Sequence, residues 1–496
     1  MIRRLLVANR GEIAIRIIRA CRELGIETVA VYSEADCHAR HVALADFAEP
    51  IGPPPAAESY LVSSSHLEAA RRAGADAIHP GYGFLAENAG FAAACEAAGL
   101  TFVGPPASVI AQMGSKIESR ARAIEAGLQV VPGATPDAQD DGSLRAAARR
   151  VGYPLLVKAS AGGGGKGMRI VRAATGLAEA CASAKHEAGA AFGDSTLYFE
   201  RLIEHPRHVE VQVLGDAHGG VVHLFERDCS IQRRHQKIVE ETPSPWVPAA
   251  LRQRMCEAAA ALARHIGYQN AGTVEFLVEG SGDGARFYFL EMNTRLQVEH
   301  PVTEAVAGVD LVHAQLHVAS GGQVPWTERD LAQRGHAIEC RIYAEDPANG
   351  FLPQAGTLSL YREPQGPGIR VDSGVAEGDE VSVYYDPLLA KLIAWAETRE
   401  GARRRLVAAL RQFAVLGIRT NVPFLIRVLE HPQFGEGGID TSFLDGEGRV
   451  LCDPVEGPGL AAALASAAAF EPPVAGRSLA APTAPDPWER LQGWRN

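Results

Sequence analysis

Two acids stand where strands should be apolar. Glu275 interrupts Thr273-Val-Glu-Phe-Leu-Val278, and Glu291 interrupts Tyr288-Phe-Leu-Glu-Met-Asn293. A carboxylate is rarely buried unless it is paired or bound to a cation. Asn293 lies two residues beyond Glu291 and faces the same side of its strand. Glu275, Glu291 and Asn293 thus offer hard oxygen donors of the kind that suit Mg²⁺ shared with a substrate phosphate. The competing reading is that each acid caps or pairs with a structural arginine. Directly after the second strand runs Asn293-Thr-Arg-Leu-Gln-Val-Glu-His300. Here Arg295 presents a planar fork for a small oxyanion, and Glu299 is a base if it is held nearby. A solvated loop with incidental charges is the plain alternative.

Ala161-Gly-Gly-Gly-Gly-Lys-Gly167 carries a different chemistry. It satisfies G-x-G-x-x-G formally, but Met168-Arg-Ile-Val171 after it is strand-like, whereas a dinucleotide turn opens a helix. It also fails the P-loop pattern, because Gly167 follows Lys166 where Ser or Thr is required and Ser160 occupies the first glycine position. What remains is a flexible loop, Gly163, Gly164, Gly165, Lys166 and Gly167, whose backbone N–H groups can approach phosphates closely because glycine has no Cβ. Lys158, on the strand before it, adds a point charge for phosphate. A mobile surface linker is the alternative here, as a basic face is for Gln232-Arg-Arg-His-Gln-Lys237. His38, His41, His218 and His313 stand alone and are read as structural.

The elements that must position these groups can be traced along the chain. Leu5 to Ala8 is a short apolar strand, Ile13, Ile17, Cys21 and Leu24 follow at helical spacing, and Thr28-Val-Ala-Val-Tyr32 supplies a second strand. This is a βαβ start, although its turn, Asn9-Arg-Gly-Glu12, lacks the dinucleotide glycines. Further alternation through Ala75–His79, Phe91–Ala98 and Thr101–Gly104 predicts an α/β domain closing near residue 113. A linking helix at 115–127 leads to a hairpin, Pro154–Lys158 and Met168–Val171, around the glycine loop. Val209, Val211 and Val213 alternate with His208, Glu210 and Gln212, and the chain returns through Val221–Phe225. The pattern predicts an antiparallel pair with one apolar and one polar face. A helix over 249–266, the two acid-bearing strands and an α+β region past residue 330 follow. The stretch 457–485 is Ala-, Pro- and Gly-rich and reads as a linker.

Composition bounds what these groups can belong to. The chain has 496 residues, room for about three domains, with 47% hydrophobic and 22% charged residues. Its formal charge is −11, so no basic surplus draws it to nucleic acid or an anionic membrane, and any anionic ligand must be met by local clusters. Eight cysteines are spread without C-x-x-C spacing, which fits neither a zinc cage nor a disulfide framework. They read as buried or inert thiols in a reducing compartment. Asn9, Arg10 and Glu12 interrupt the N-terminal apolar stretch too early for a signal peptide, and no run approaches the length of a membrane span. The expected location is the cytoplasm.

Six stretches together resemble the biotin carboxylase family of the ATP-grasp superfamily: Leu6–Ala14, His79–Asn88, Lys158–Met168, Glu226–Gln232, Phe289–His300 and Ile338–Asp346. The resemblance implies an α/β and α+β fold. Its parts are a Rossmann-like N-terminal domain (1–113), a linking helix with an ATP-grasp lid (114–203), an ATP-grasp catalytic body (204–330) and a biotin carboxylase C-terminal domain (331–446). Residues 447–496 would be linker and the start of a further module, because Asp486–Asn496 is similar to the segment with which longer α subunits enter their linking domain.

In that family bicarbonate attacks the γ-phosphate of ATP to give carboxyphosphate, and biotin is carboxylated at N1′. Carried over, Lys116 and Lys158 would hold ATP phosphates beneath the glycine lid, with His208, Gln232, His235 and Lys237 orienting the nucleotide and Glu200 and Ile203 meeting adenine. Glu275 and Glu291, supported by Asn293, would hold Mg²⁺ or Mn²⁺. Arg295, Gln297 and Val298 would position bicarbonate, Glu299 would deprotonate it, and Arg341 would stabilise the biotin enolate. The implied partners are a biotin carboxyl carrier protein or domain that supplies biotin on a separate segment, a carboxyltransferase subunit and a second copy of the chain.

Tyr343, Val371–Glu380 and Tyr385–Ile393 look closer to the α subunits of methylcrotonyl-, geranyl- or propionyl-CoA carboxylases than to a stand-alone acetyl-CoA carboxylase subunit. No methionine precedes a biotin-accepting lysine. Another ATP-grasp ligase, or a non-catalytic nucleotide-sensing scaffold, would be expected to lack part of the set Lys237, Glu291, Arg295–Glu299 and Arg341, all of which are present.

Overall fold

The apolar run after Arg3 becomes the centre of a parallel sheet. In the computed structural model, which describes residues 2–160 and 167–452, β1 (Arg4–Val7) lies between β2 (Glu27–Ser33) and β4 (Ala77–His79). β3 (Phe47–Gly52) and β5 (Thr101–Phe102) flank them, giving the order β3-β2-β1-β4-β5. A parallel sheet is covered on both faces, and Leu5, Leu6 and Val7 are accordingly all buried. The helix Gly11–Glu23 supplies Ile13, Ile17 and Cys21 to one of these cores. Between strand and helix, Asn9 donates to the carbonyls of Pro80 and Tyr82, both at 2.7 Å. That bond ties together the C-terminal ends of two neighbouring strands, where ligands collect in such sheets.

The predicted hairpin around the glycine loop is present as β7 (Leu155–Ala159) and β8 (Arg169–Val171), paired antiparallel with Leu155 opposite Val171. With β6 (Gly133–Ala134) and β9 (Leu197–Arg201) it forms a four-stranded sheet, order β6-β9-β7-β8. The helices Asp141–Val151 and Leu177–Phe192 share its core, Leu144, Leu177, Val157 and Phe199 among them.

β10 (Arg207–Gly215), β11 (Val221–Arg233), β12 (Gln236–Thr242), β13 (Asn270–Glu279), β14 (Arg286–Asn293) and β15 (His336–Tyr343) belong to an eight-stranded sheet. Its order is β14-β13-β10-β11-β12-β15, continued by the strands Leu388–Ala396 and Ile369–Ser373. The sheet therefore crosses residue 330 without a break, through antiparallel pairing of β12 with β15. Val209, Val211 and Val213 pack with the helix Ala249–His265, as the alternation predicts. The opposite face is polar, but it is buried: His208, Glu210, Gln212 and Arg227 are all covered. Part of the cover is the helix His300–Ala307, which starts directly after the Asn293–Glu299 loop and has a proline in its first turn, where the missing N–H is harmless.

Of the eight cysteines expected to be buried or inert, six are buried, Cys452 is half-buried and Cys37 is exposed at the end of a short helical turn that leaves the sheet. Among the described residues no helix is long and apolar enough to cross a membrane.

Candidate active site

A cleft of about 640 Å³ opens where the three sheets meet. Lys116, Lys158, His208, Gln232, His235, Lys237, Glu275, Glu291, Asn293, Arg295, Gln297, Val298 and Arg341 line it, so most of the expected residues come together. Glu200 and Ile203 do not line it. The Glu200 carboxylate turns to Lys158 Nζ at 2.9 Å and Arg120 at 3.1 Å, and Ile203 packs with Val131 and Tyr288. Gly167 is buried with φ +73, and a Cβ there would come within 3.0 Å of the Ala159 Cβ, so the lid hairpin requires glycine at this point. Gly163, Gly164, Gly165 and Lys166 lie outside the described residues.

Strand register explains the acids. Glu275 on β13 stands opposite Glu291 on β14 and opposite Glu210 on β10, and Glu210 stands opposite Arg227 on β11. Side chains directly across a sheet share a face, so this one row carries three carboxylates and a guanidinium. Arg227 is fully buried and spends its fork on Glu210 Oε1 at 2.6 Å, Gln212, Thr273 and Thr303. Lys237 closes the row from β12, donating to Glu210, to Glu275 Oε1 at 2.8 Å and to Glu299 Oε1 at 2.8 Å. The partners of Glu275 are thus Lys237, His208, whose Nε2 lies 3.1 Å from Glu275 Oε2, and Gln297, whose Nε2 donates to Oε1 at 3.4 Å, and among the described residues no arginine caps it.

These contacts set the charges. Burial acts against an ionised Glu275, but Lys237 and His208 outweigh it and hold the carboxyl well below its ordinary range. Glu291 moves the other way, raised by burial and by the negative charge of Glu275, with Lys116 and Lys158 opposing. Two adjacent carboxylates with opposed shifts, one kept uncomfortable by the other, mark a place that a cation would relieve. The donors Glu275, Glu291 and Asn293 are all oxygens, so they fit Mg²⁺ or Mn²⁺. Lys116 is depressed by burial, and Lys158 is raised because Glu200 overcomes the cost of burial.

Glu299, 0% exposed, lies just beneath the wall. Lys237 reaches its Oε1, and Arg341 Nη2 reaches its Oε2 at 2.9 Å. Burial opposes its charge, yet Lys237, Arg341 and Arg227 hold it ionised, well below the usual carboxylate range. Arg295 is held by Glu87 at 2.8 Å, Gln297 Oε1 at 3.0 Å and Asn293 Oδ1 at 3.1 Å. The loop is a built hydrogen-bonded turn rather than a solvated one. Likewise Gln232–Lys237 is a tight strand connection, with Arg234 and His235 at positive φ, rather than a basic face. Gln232 Nε2 lies 2.7 Å from His208 Nδ1.

Several wall residues went unassigned from sequence. Tyr82, Gly83 and Phe84 follow β4, and Asn9, Arg10 and Glu12 follow β1. The signal that could have found them is their place at the C-terminal ends of parallel strands. Behind the wall, Glu240 Oε1 accepts from Arg341 Nε at 2.6 Å and fixes the direction of that guanidinium. Its contribution depends on β12 lying beside β15, which local pattern does not reveal.

Three family models match the chain: "Biotin carboxylase, N-terminal domain" over residues 1–110, "Carbamoyl-phosphate synthase L chain, ATP binding domain" over 115–327, and "Biotin carboxylase C-terminal domain" over 339–446. A biotin carboxylase of Halalkalibacterium halodurans is 52% identical over 444 residues, which are 90% of this chain and 97% of that protein. The mitochondrial methylcrotonoyl-CoA carboxylase subunit alpha of Glycine max is also 52% identical over 444 residues, and here the chain spans only 60% of the relative's length. The solved biotin carboxylase domain dimer of the Hydrogenobacter thermophilus 2-oxoglutarate carboxylase, a complex with MgADP, ADP and bicarbonate, is similar at a TM-score of 0.88 and 46% identity. That match covers 92% of this chain and all of that one.

Proposed function

This chain belongs to the biotin carboxylase family of ATP-dependent ligases, and on that premise we propose that it carboxylates biotin held on a separate carrier, using bicarbonate and ATP. The observation that carries the proposal is Glu299 held between Lys237 and Arg341. One buried carboxylate thereby joins the phosphate side of the cleft to the side lined by Tyr82 and Tyr343.

In this reading Lys116 and Lys158 hold the ATP phosphates beneath the lid, and His208, Gln232, His235 and Lys237 orient them. Glu200 and Ile203 shape the adenine end from behind the wall. Glu275, Glu291 and Asn293 hold Mg²⁺, which when bound supplies neutralisation of the charge on the transferring phosphoryl group. Arg295, Gln297 and the Val298 backbone position bicarbonate so that an oxygen attacks the γ-phosphorus and ADP leaves. Glu299, ionised in advance, takes the bicarbonate proton. Its basicity is low while both cations hold it, and it rises when the incoming anion draws on Lys237 and Arg341. Carboxyphosphate then breaks into CO₂ and inorganic phosphate beside biotin; the phosphate takes the N1′ proton, Arg341 neutralises the resulting enolate, and N1′ attacks CO₂. Water must be kept out at that stage, which is the work of the lid.

For the final acceptor we favour a methylcrotonyl-CoA-type carboxylase, supported by Tyr343 and the stretches at 371–380 and 385–393 and by the similarity to the soybean subunit. The acceptor itself would be chosen by a carboxyltransferase partner; acetyl- or propionyl-CoA carboxylase is the second reading. A homodimer and a cytoplasmic location complete the proposal. Purified chain should release ADP from MgATP only with bicarbonate present, and faster when free biotin is added. ADP release indifferent to bicarbonate would overturn the assignment.

A further inference from the structure

Lys391 has no part in the chemistry above, yet it touches the loop that carries it. It lies on the strand Leu388–Ala396, opposite Arg341 on β15 and opposite Asp372 on Ile369–Ser373. Its side chain is 0% exposed. Nζ lies 3.3 Å from Glu12 Oε2, on the helix that follows β1, and 3.8 Å from Asp372 Oδ2. It donates a hydrogen bond of 2.8 Å to the main-chain carbonyl of Val298.

That carbonyl sits between Gln297 and Glu299, two residues before the helix His300–Ala307 begins. The helix anchors the loop at its end, and Lys391 anchors it from below. The N-terminal helix, a C-terminal strand and the catalytic loop thus converge on one ammonium. The carboxylates alone do not explain it, since a buried ion pair is often replaceable by packed apolar groups at little cost. An apolar side chain cannot donate to Val298, and the half-buried carbonyl would lose a hydrogen bond from a charged donor.

We propose that Lys391 is a positioning residue for bicarbonate activation: by holding the Val298 carbonyl it keeps Gln297 and Glu299 aligned with Lys237 and Arg341. The inference rests on the proposed function and adds a residue to it. Asp372 is a fitting counter-ion, because Arg370 and Lys391 overcome its burial and hold it ionised.

The test compares wild type, Lys391→Met and the charge-balanced double variant Lys391→Met/Glu12→Gln, by steady-state kinetics with bicarbonate and MgATP varied separately and by thermal unfolding. A hydrogen bond from a charged donor predicts a loss of about tenfold or more in kcat/KM for bicarbonate, with KM for ATP changed less than about twofold. The double variant should recover the unfolding midpoint without recovering bicarbonate kcat/KM, and it carries the test if the single variant does not fold. Recovery of both would reduce Lys391 to a counter-ion and overturn the proposal. So would a bicarbonate kcat/KM that stays within about twofold of wild type, or an ATP KM that rises in step. A wild type without bicarbonate dependence would instead sink the functional reading itself.

Discussion

Three buried histidines, His41 and His79 around the parallel sheet and His208 in the eight-stranded sheet, are shifted in opposite directions. Around the parallel sheet, burial pushes His41 down to about 4 and His79 to about 3, so both are neutral. In the eight-stranded sheet His208 is also buried, yet Glu275 overcomes the desolvation and raises it. The first region keeps these two imidazoles neutral between packed apolar strands and holds its buried charge in discrete pairs such as Arg10–Asp36. The second stores charge in a register-matched row, Arg227–Glu210–Glu275–Glu291, cross-linked by Lys237. A surface that must receive phosphate and bicarbonate has its compensating charges installed before either arrives, which removes the cost of rearranging them during reaction.

The contrast can be broken at its most charged point first. Glu299→Gln keeps the shape of the side chain and removes the proposed base. Bicarbonate-dependent turnover should fall by about 10²–10⁴-fold while MgATP binding, followed by calorimetry, is retained; unchanged turnover removes Glu299 from the chemistry. Arg227→Met tests the row itself. Removing one partner of a buried pair leaves Glu210 short of its counter-charge and should cost about 3–5 kcal/mol in denaturant unfolding. A near-neutral result would show that Lys237 alone satisfies the row.

The parallel sheet is tested by acid. A histidine with a depressed folded-state pKa gives stability that is fully present above the unfolded value near 6.5 and is lost as pH falls through the folded value. For His41 that window runs from about 6.5 to about 4, and its share is on the order of 3 kcal/mol. A His41→Asn variant should therefore show a shallower loss of urea midpoint between pH 7 and pH 4 than wild type. Equal slopes would mean that burial does not govern the parallel sheet.

Much of this was legible in the chain. The βαβ start is visible because Leu5–Ala8 and the Ile13, Ile17, Cys21 spacing have different periods. Glu275 and Glu291 announce themselves by being charged within apolar strands, and their facing relation follows once the strands pair. The fate of the polar face of β10 was not legible. Alternation tells which residues share a side, but not that a helix about ninety residues later covers that side. For the same reason Glu240 behind Arg341, and Glu12 beside Lys391, are invisible locally, since each depends on elements brought together by topology. The Glu200 side chain is a subtler case: its position was named for adenine, whereas its carboxylate is committed to Lys158 and Arg120.

The pairing of β12 with β15 has one more implication. Val239 to Thr242 and Ala337 to Cys340 share a single hydrogen-bond ladder across the place where the sequence suggests one region ends and another begins. A chain severed there would leave two raw strand edges, each prone to recruit a stranger. The ladder therefore welds the two stretches into one folding unit, and a cut between them costs the hydrogen bonds of both edges at once.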